Sequence, residues 1–173
     1  LENGAAKTQD EWAAYAEAAT AQNGFRTPDY PLLYGIVKAL YTARDDVTKS
    51  GEIEEAKQFL KSTSRANWLM TLTRILCQST GQDSVIHNYG TKEQYKKKVD
   101  FVGVDEDIIT THNILPYHAL LDTLDTAEEI KSTFEWLNGT SIDLYRVNSK
   151  QDTERVARFG AGSGWAGLYC DWG

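Results

Sequence analysis

Along the first 60 residues, apolar positions repeat at the spacing of amphipathic helices. Trp12, Tyr15 and Ala19 share one face of a segment that opens on Thr8-x-x-Glu11, a capping box, and stops at Asn23-Gly24. Thr27-Pro28-Asp29 opens a second helix, because proline is tolerated in a first turn, and its buried stripe is predicted to be Leu33, Ile36, Val37, Leu40 and Tyr41. Ser50 can cap a short third helix carrying Ile53, Ala56, Phe59 and Leu60. At Trp68 the period drops to two and β-branched residues become common, which predicts a strand over about 68–77. After a turn at residues 80–83, Val85-Ile86-His87 reads as a second strand ending at Gly90. Residues 91–98 read as a helical turn, Phe101, Val102 and Val104 as a short strand, and Asp105-Glu106-Asp107 as an acidic turn.

Helix is predicted again from Leu115-Pro116, with Leu120, Leu121 and Leu124 at helical spacing. Thr126 and Glu129 form a second capping box ahead of Ile130, Phe134 and Leu137, and Asn138-Gly139 closes that helix. Ile142, Leu144 and Tyr145-Arg146-Val147 then read as a strand, as does Val156-Ala157-Arg158-Phe159. Helices and strands come in blocks without strict alternation, which favours an α+β fold over a parallel α/β fold. There is no internal repeat. The chain reads as one domain, with a helical portion over 1–62 and a strand-rich portion over 63–173.

Composition narrows the function classes. With 173 residues, a hydrophobic content of 41% and a charged content of 25%, the chain can bury a sizeable core. A net charge of −7 argues against a general nucleic-acid binder, and no apolar run approaches a membrane span. Cys77 and Cys170 are too few for a disulfide scaffold and pair only if the fold brings them together. His87, His112 and His118 have no metal-helix spacing. Asp105 and Asp107 offer carboxylates for calcium but lack the glycine and trailing glutamate of an EF-hand loop. No nucleophile turn or catalytic set stands out, so the expectation is a protein with no catalytic residues, no cofactor and no metal.

The uneven feature is the tail. Residues 160–173 hold five of the 13 glycines, two of the five tryptophans and one charged residue, Asp171. Gly160-Ala161-Gly162-Ser163-Gly164 is no phosphate loop: no helix and no acidic residue follow at the required distance. Read as one extended segment, Gly160, Gly162 and Gly164 share a face with Trp165 on the other; Leu168 and Cys170 share a face opposite Tyr169, Asp171 and Gly173.

Several stretches carry a resemblance: Asp83-Ser84-Val85-Ile86-His87-Asn88-Tyr89-Gly90, Leu144-Tyr145-Arg146-Val147-Asn148, Glu154-Arg155-Val156-Ala157-Arg158-Phe159, and Ser163-Gly164-Trp165-Ala166-Gly167-Leu168-Tyr169-Cys170. Together, over roughly residues 68–173, they resemble the variable proteins of archaeal diversity-generating retroelements. The resemblance implies a C-type lectin fold, preceded here by the helical portion, with a variable region over about 154–173. In such systems adenines of a template are copied with errors, so Asn codons become Gly, Tyr, Asp, Ser or Cys. The implied display positions are Gly160, Gly162, Gly164, Tyr169, Asp171, Trp172 and Gly173, with Trp165 and Leu168 as anchors beneath. On that reading Trp165→Ala costs about 3 kcal/mol or more, and Gly160→Tyr or Gly162→Tyr less than about 1 kcal/mol. The implied partner is an unidentified protein or glycan, as on a cell surface, rather than nucleic acid or a membrane interior. The family pattern runs on past the position of Gly173 to a further strand, and the Glu-Pro-Asn and Trp-Asn-Asp motifs of calcium-dependent sugar binding do not occur. Two alternatives remain: an enzyme related to formylglycine-generating proteins, whose chemistry needs placed cysteines, and a structural virion or surface protein without diversification.

Overall fold

A computed structural model describes residues 8–22, 27–67, 69–78, 80, 82–88, 94–99, 106–108, 114–147, 153–162 and 165–171; over 94–108 and 145–171 the description is of backbone and strand pairing. Among the described residues, five helices and seven strands follow in the order α1 (Gln9–Ala21), α2 (Tyr30–Thr42), α3 (Ser50–Asn67), β1 (Leu69–Cys77), β2 (Asp83–Asn88), β3 (Gln94–Val99), β4 (Glu106–Ile108), α4 (Leu115–Leu121), α5 (Ala127–Asn138), β5 (Asp143–Val147), β6 (Thr153–Gly162) and β7 (Trp165–Asp171). The architecture is α+β.

Helix ends follow local chemistry. Thr8 N–H donates to Glu11 Oε2 at 2.6 Å and Glu11 N–H to Thr8 Oγ1 at 3.3 Å, the reciprocal pair of a capping box. Asp29 is the cap of α2: its Oδ1 accepts Leu32 N–H at 2.9 Å, and Pro31 occupies the first turn. The buried stripe of α2 is Tyr30, Leu33, Tyr34 and Val37, so it is rotated from the expected one, and Ile36 is 42% exposed. Tyr30 and Tyr34 can be buried because their rings supply apolar area, and Tyr34 finds a partner for its hydroxyl (below). The third helix is 18 residues long rather than short, and Phe59 is exposed on it. The fourth ends at Asp122 in a left-handed conformation (φ 47°), which leaves Leu124 outside the helix and exposed. At α5, Thr126 N–H donates to Glu129 Oε2 at 2.8 Å, Glu129 N–H to Thr126 Oγ1 at 3.2 Å, and Gly139 closes the helix at φ 76°. Thr126→Ala should therefore lower the unfolding free energy by about 1 kcal/mol, read from the shift of a urea midpoint at unchanged slope.

Residues 94–99, part of the expected helical turn, form edge strand β3, and Glu106 and Asp107 belong to β4 rather than to a turn. In both cases a partner strand overrides local preference: β3 pairs antiparallel with β2, and β4 with β5. Lysines at 96–98 also suit an edge, where charge discourages further pairing.

The sheet order is β3-β2-β1-β6-β7-β5-β4, antiparallel except for the parallel pair of β5 and β7. Its two edges, β3 and β4, are consecutive in the chain. The seven steps from Val99 to Glu106 reach at most about 25 Å, whereas six strand spacings across a flat sheet come to about 29 Å. The sheet must therefore curve. Part of the bend lies in β1, where the register shifts between Met70 and Arg74 against Arg158 and Val156 of β6.

One core joins the helical portion to the sheet: Tyr30, Leu33, Tyr34 and Val37 of α2 cluster with Ile75, Val85 and Leu144 of the strands and with Leu120, Ile130, Phe134 and Leu137 of α4 and α5. A polar brace crosses it. Tyr34 Oη donates to Asp125 Oδ2 at 2.6 Å, and Lys38 Nζ meets Asp125 at 2.5 and 2.6 Å. No described helix is long and apolar enough to cross a membrane.

Candidate functional site

The strands of the tail hold an interior place in the sheet. β6 is paired on one side with β1 and on the other with β7; β7 is paired with β6 and β5. The chain thus inserts its last described strand between two earlier ones; β1 pairs with β6 as far as Phe159 and β5 with β7 as far as Leu168, while β6 and β7 pair with each other from Val156 to Gly162.

Register defines the two faces of this region, because residues directly opposite each other share a face and successive residues alternate. Leu144, buried in the core, lies opposite Ala166; Leu69, packed against the core, lies opposite Phe159, which lies opposite Leu168. Ala157, Phe159 and Ala161 of β6, and Ala166, Leu168 and Cys170 of β7, therefore hold the core-side positions. Arg155, opposite Ile75, falls on that side near the start of β6. The other face carries Val156, Arg158, Gly160 and Gly162 of β6 and Trp165, Gly167, Tyr169 and Asp171 of β7. On β1 the same face holds Met70, which is 43% exposed, and Arg74. Arg74 Nη2 meets Asp10 Oδ1 of α1 at 2.6 Å, so α1 borders this outer face.

Of the positions nominated from the sequence, Gly160, Gly162, Tyr169 and Asp171 share the outer face. Gly164, Trp172 and Gly173 lie outside the described residues. Trp165 does not sit beneath the glycines: the chain reverses between β6 and β7, Gly162 lies opposite Trp165, and the two share a face. Period-two counting does not carry the face of one strand across a reversal to the next. Leu168 keeps its expected core-side position.

Three further positions join the outer face through pairing. Tyr145 lies opposite Gly167, which is opposite Gly160; Asp143 lies opposite Trp165; Arg158 lies opposite Tyr169. No sequence signal indicates the first two, because they arrive through a parallel pairing that local pattern does not encode. Arg158 was legible only as an alternating member of its own strand.

The same register keeps the cysteines apart. Cys77 is opposite Thr153 and Cys170 opposite Ala157, on strands either side of β6 and four residues apart along it, which puts their Cα atoms about 16 Å apart. A disulfide spans no more than about 7 Å between Cα atoms, so these two cannot be bridged. Among the described residues, no three His, Cys, Asp or Glu side chains gather as a metal site would require. Compared with known proteins, the chain matches no family model, no curated protein and no solved structure.

Proposed function

We propose that this protein is a ligand-binding display protein of the diversity-generating-retroelement type, with a C-type lectin fold and a C-terminal region that varies to recognise different protein or glycan targets. One observation supports this reading most directly: Gly160, Gly162, Tyr169 and Asp171 share the sheet face opposite the core, each backbone-paired between β6 and β7, in two strands that are anchored further along by β1 and β5. Strands held by backbone pairing and by core-side residues such as Leu168 tolerate changes on their outer face, because the side chains there do not hold them in place. Gly, Tyr and Asp are also among the residues that adenine-directed errors make from Asn codons. Trp165, Tyr169, Tyr145 and Arg158 belong to the residue types that dominate binding energy at protein interfaces. The enzymatic alternative draws no support from the register, since Cys77 and Cys170 are held apart.

Sequencing the DNA around the gene tests the reading. The expected finding is a near-copy of the segment coding for residues 154–173 that differs at adenines, next to a reverse-transcriptase gene. Finding neither overturns the retroelement reading. Binding tests its display arm: once a target is found, Tyr169→Ala with Asp171→Ala should weaken capture at least tenfold while leaving the melting temperature nearly unchanged. Unaltered capture would remove these positions from the site.

A further inference from the structure

A buried imidazole ties together four elements of the fold. His87 of β2 has no exposed surface. Its Nε2 lies 2.8 Å from the carbonyl oxygen of Ala119 in α4, and its Nδ1 lies 2.9 Å from Thr73 Oγ1 in β1. That same hydroxyl oxygen accepts the N–H of Tyr30, the first residue of α2, at 2.9 Å. Thr73 is buried too.

The directions of these bonds can be worked out from what each group is able to do. A carbonyl only accepts, so Nε2 carries a proton. Thr73 Oγ1 accepts from Tyr30 and keeps its own proton, which it can give to the lone pair of an unprotonated Nδ1. The chain then runs one way: Tyr30 N–H to Thr73, Thr73 O–H to His87 Nδ1, His87 Nε2–H to Ala119. In this arrangement the imidazole is neutral. A proton added at Nδ1 would bring two donors onto Thr73 Oγ1 and displace the hydroxyl proton from its acceptor, and a charge would be buried with no surface.

We propose that His87 is a proton-sensitive latch: its neutral ring closes the junction of α2, β1, β2 and α4, and its protonation in mild acid releases that junction. Ionisable groups stand on each neighbouring element. The α2 side carries Asp29, whose Oδ1 caps Leu32, and Tyr30. On α4 stand Tyr117 and His118, the latter with Nε2 2.8 Å from the Asp125 carbonyl oxygen. On β2 itself, Asp83 accepts Gln78 N–H at 2.7 Å. Register brings Tyr95 of β3 opposite His87 and Lys97 opposite Val85, while Arg74 of β1 pairs with Asp10. Asp29 is the carboxylate that would favour an imidazolium and Lys97 the cation that would oppose it; the complete burial of His87 and Thr73, with the hydroxyl proton left without its acceptor on protonation, favours the neutral ring.

The sign follows from linkage. In the unfolded chain a histidine titrates near about pH 6.5. Below that, the unfolded state binds a proton that the folded state does not, so stability falls as pH falls. The folding equilibrium constant should drop by up to about tenfold per pH unit. The latch is independent of the display reading and stands or falls by itself.

Imidazole nitrogen NMR on the full chain tests it, with His112→Gln and His118→Gln variants to assign the three rings. The expected result is His87 as the neutral Nε2–H tautomer at pH 7, with no titration while the fold persists. Urea midpoints should fall between pH 6.5 and 5, and His87→Gln should lose that slope. An imidazolium or an Nδ1–H tautomer at pH 7 overturns the proposal, as does an equal slope in the two proteins. Should His87→Gln fail to fold, the tautomer and titration of the unaltered protein decide alone.

Discussion

Leu144→Ala is expected to lower the unfolding free energy by about 2–5 kcal/mol, while Gly160→Ser and Gly162→Ser each change it by less than about 1 kcal/mol. Leu144 is 2% exposed and belongs to the core cluster with Ile130, Phe134 and Leu137. Truncation removes apolar contacts from a site whose neighbours sit on both sheet and helices and cannot all collapse into the gap. The glycines hold positions on the opposite face of β6, paired through their backbone with β7, where an added side chain leaves the ladder intact. Leu168→Ala should behave like Leu144→Ala, since Leu168 shares the core-side face, and should cost more than Trp165→Ala. Urea unfolding of the five variants decides the matter. A cost for Trp165→Ala larger than that for Leu168→Ala would mean the face assignment is reversed and would remove the basis for a display surface.

The second large effect is at Asp125. Replacing it by Ala should cost about 2–3 kcal/mol, because Tyr34 and Lys38 lose their shared acceptor and the Tyr34 hydroxyl is left in a largely buried position. The carboxylate is 13% exposed and Lys38 44% exposed, so the pair is only partly screened by water. Burial by itself would raise the Asp125 carboxyl, but the bonds from Lys38 and Tyr34 outweigh it and hold the group below its usual range. Burial, followed by the bond to Asp125 and its charge, pushes the Tyr34 phenol far above its ordinary value. The two signs differ. A carboxylate depressed in the folded state contributes stability that is present above its unfolded value near about 4 and is lost as pH falls through the folded value. A phenol raised in the folded state contributes stability that is present below about 10 and is lost as pH climbs toward its folded value. Denaturation midpoints should therefore fall below about pH 4 and above about pH 10, and in Asp125→Ala both slopes should shrink. The alkaline arm is the more specific, because most groups that titrate in acid are carboxylates elsewhere. Unchanged alkaline behaviour in Asp125→Ala would show that the brace does not govern Tyr34.

The legible parts of this protein are local. Thr8 with Glu11 and Thr126 with Glu129 announce helix starts, because a capping box satisfies its own backbone groups within four residues. Gly139 announces a helix end because its left-handed backbone disfavours a side chain. The apolar periods of residues 127–138 and 69–77 determine which elements form there. The lysine-rich segment around 96–98 was not legible, since its state depends on β2 lying alongside it. The inward rotation of α2 escaped counting for a similar reason: Tyr34 is buried only because Asp125, far along the chain, receives its hydroxyl.

The tail shows the same division. Its sequence alone determined that glycine alternates at 160 and 162 and that Leu168 and Tyr169 take opposite faces, because alternation along a strand is a property of neighbouring residues. Only the tertiary structure decided that the chain reverses between Gly162 and Trp165, that β7 enters between β6 and β5, and that Tyr145 and Asp143 join the outer face. Those outcomes rest on pairings between distant segments, whose stability comes from the shared core and the completed ladders, and no period within a single strand records them.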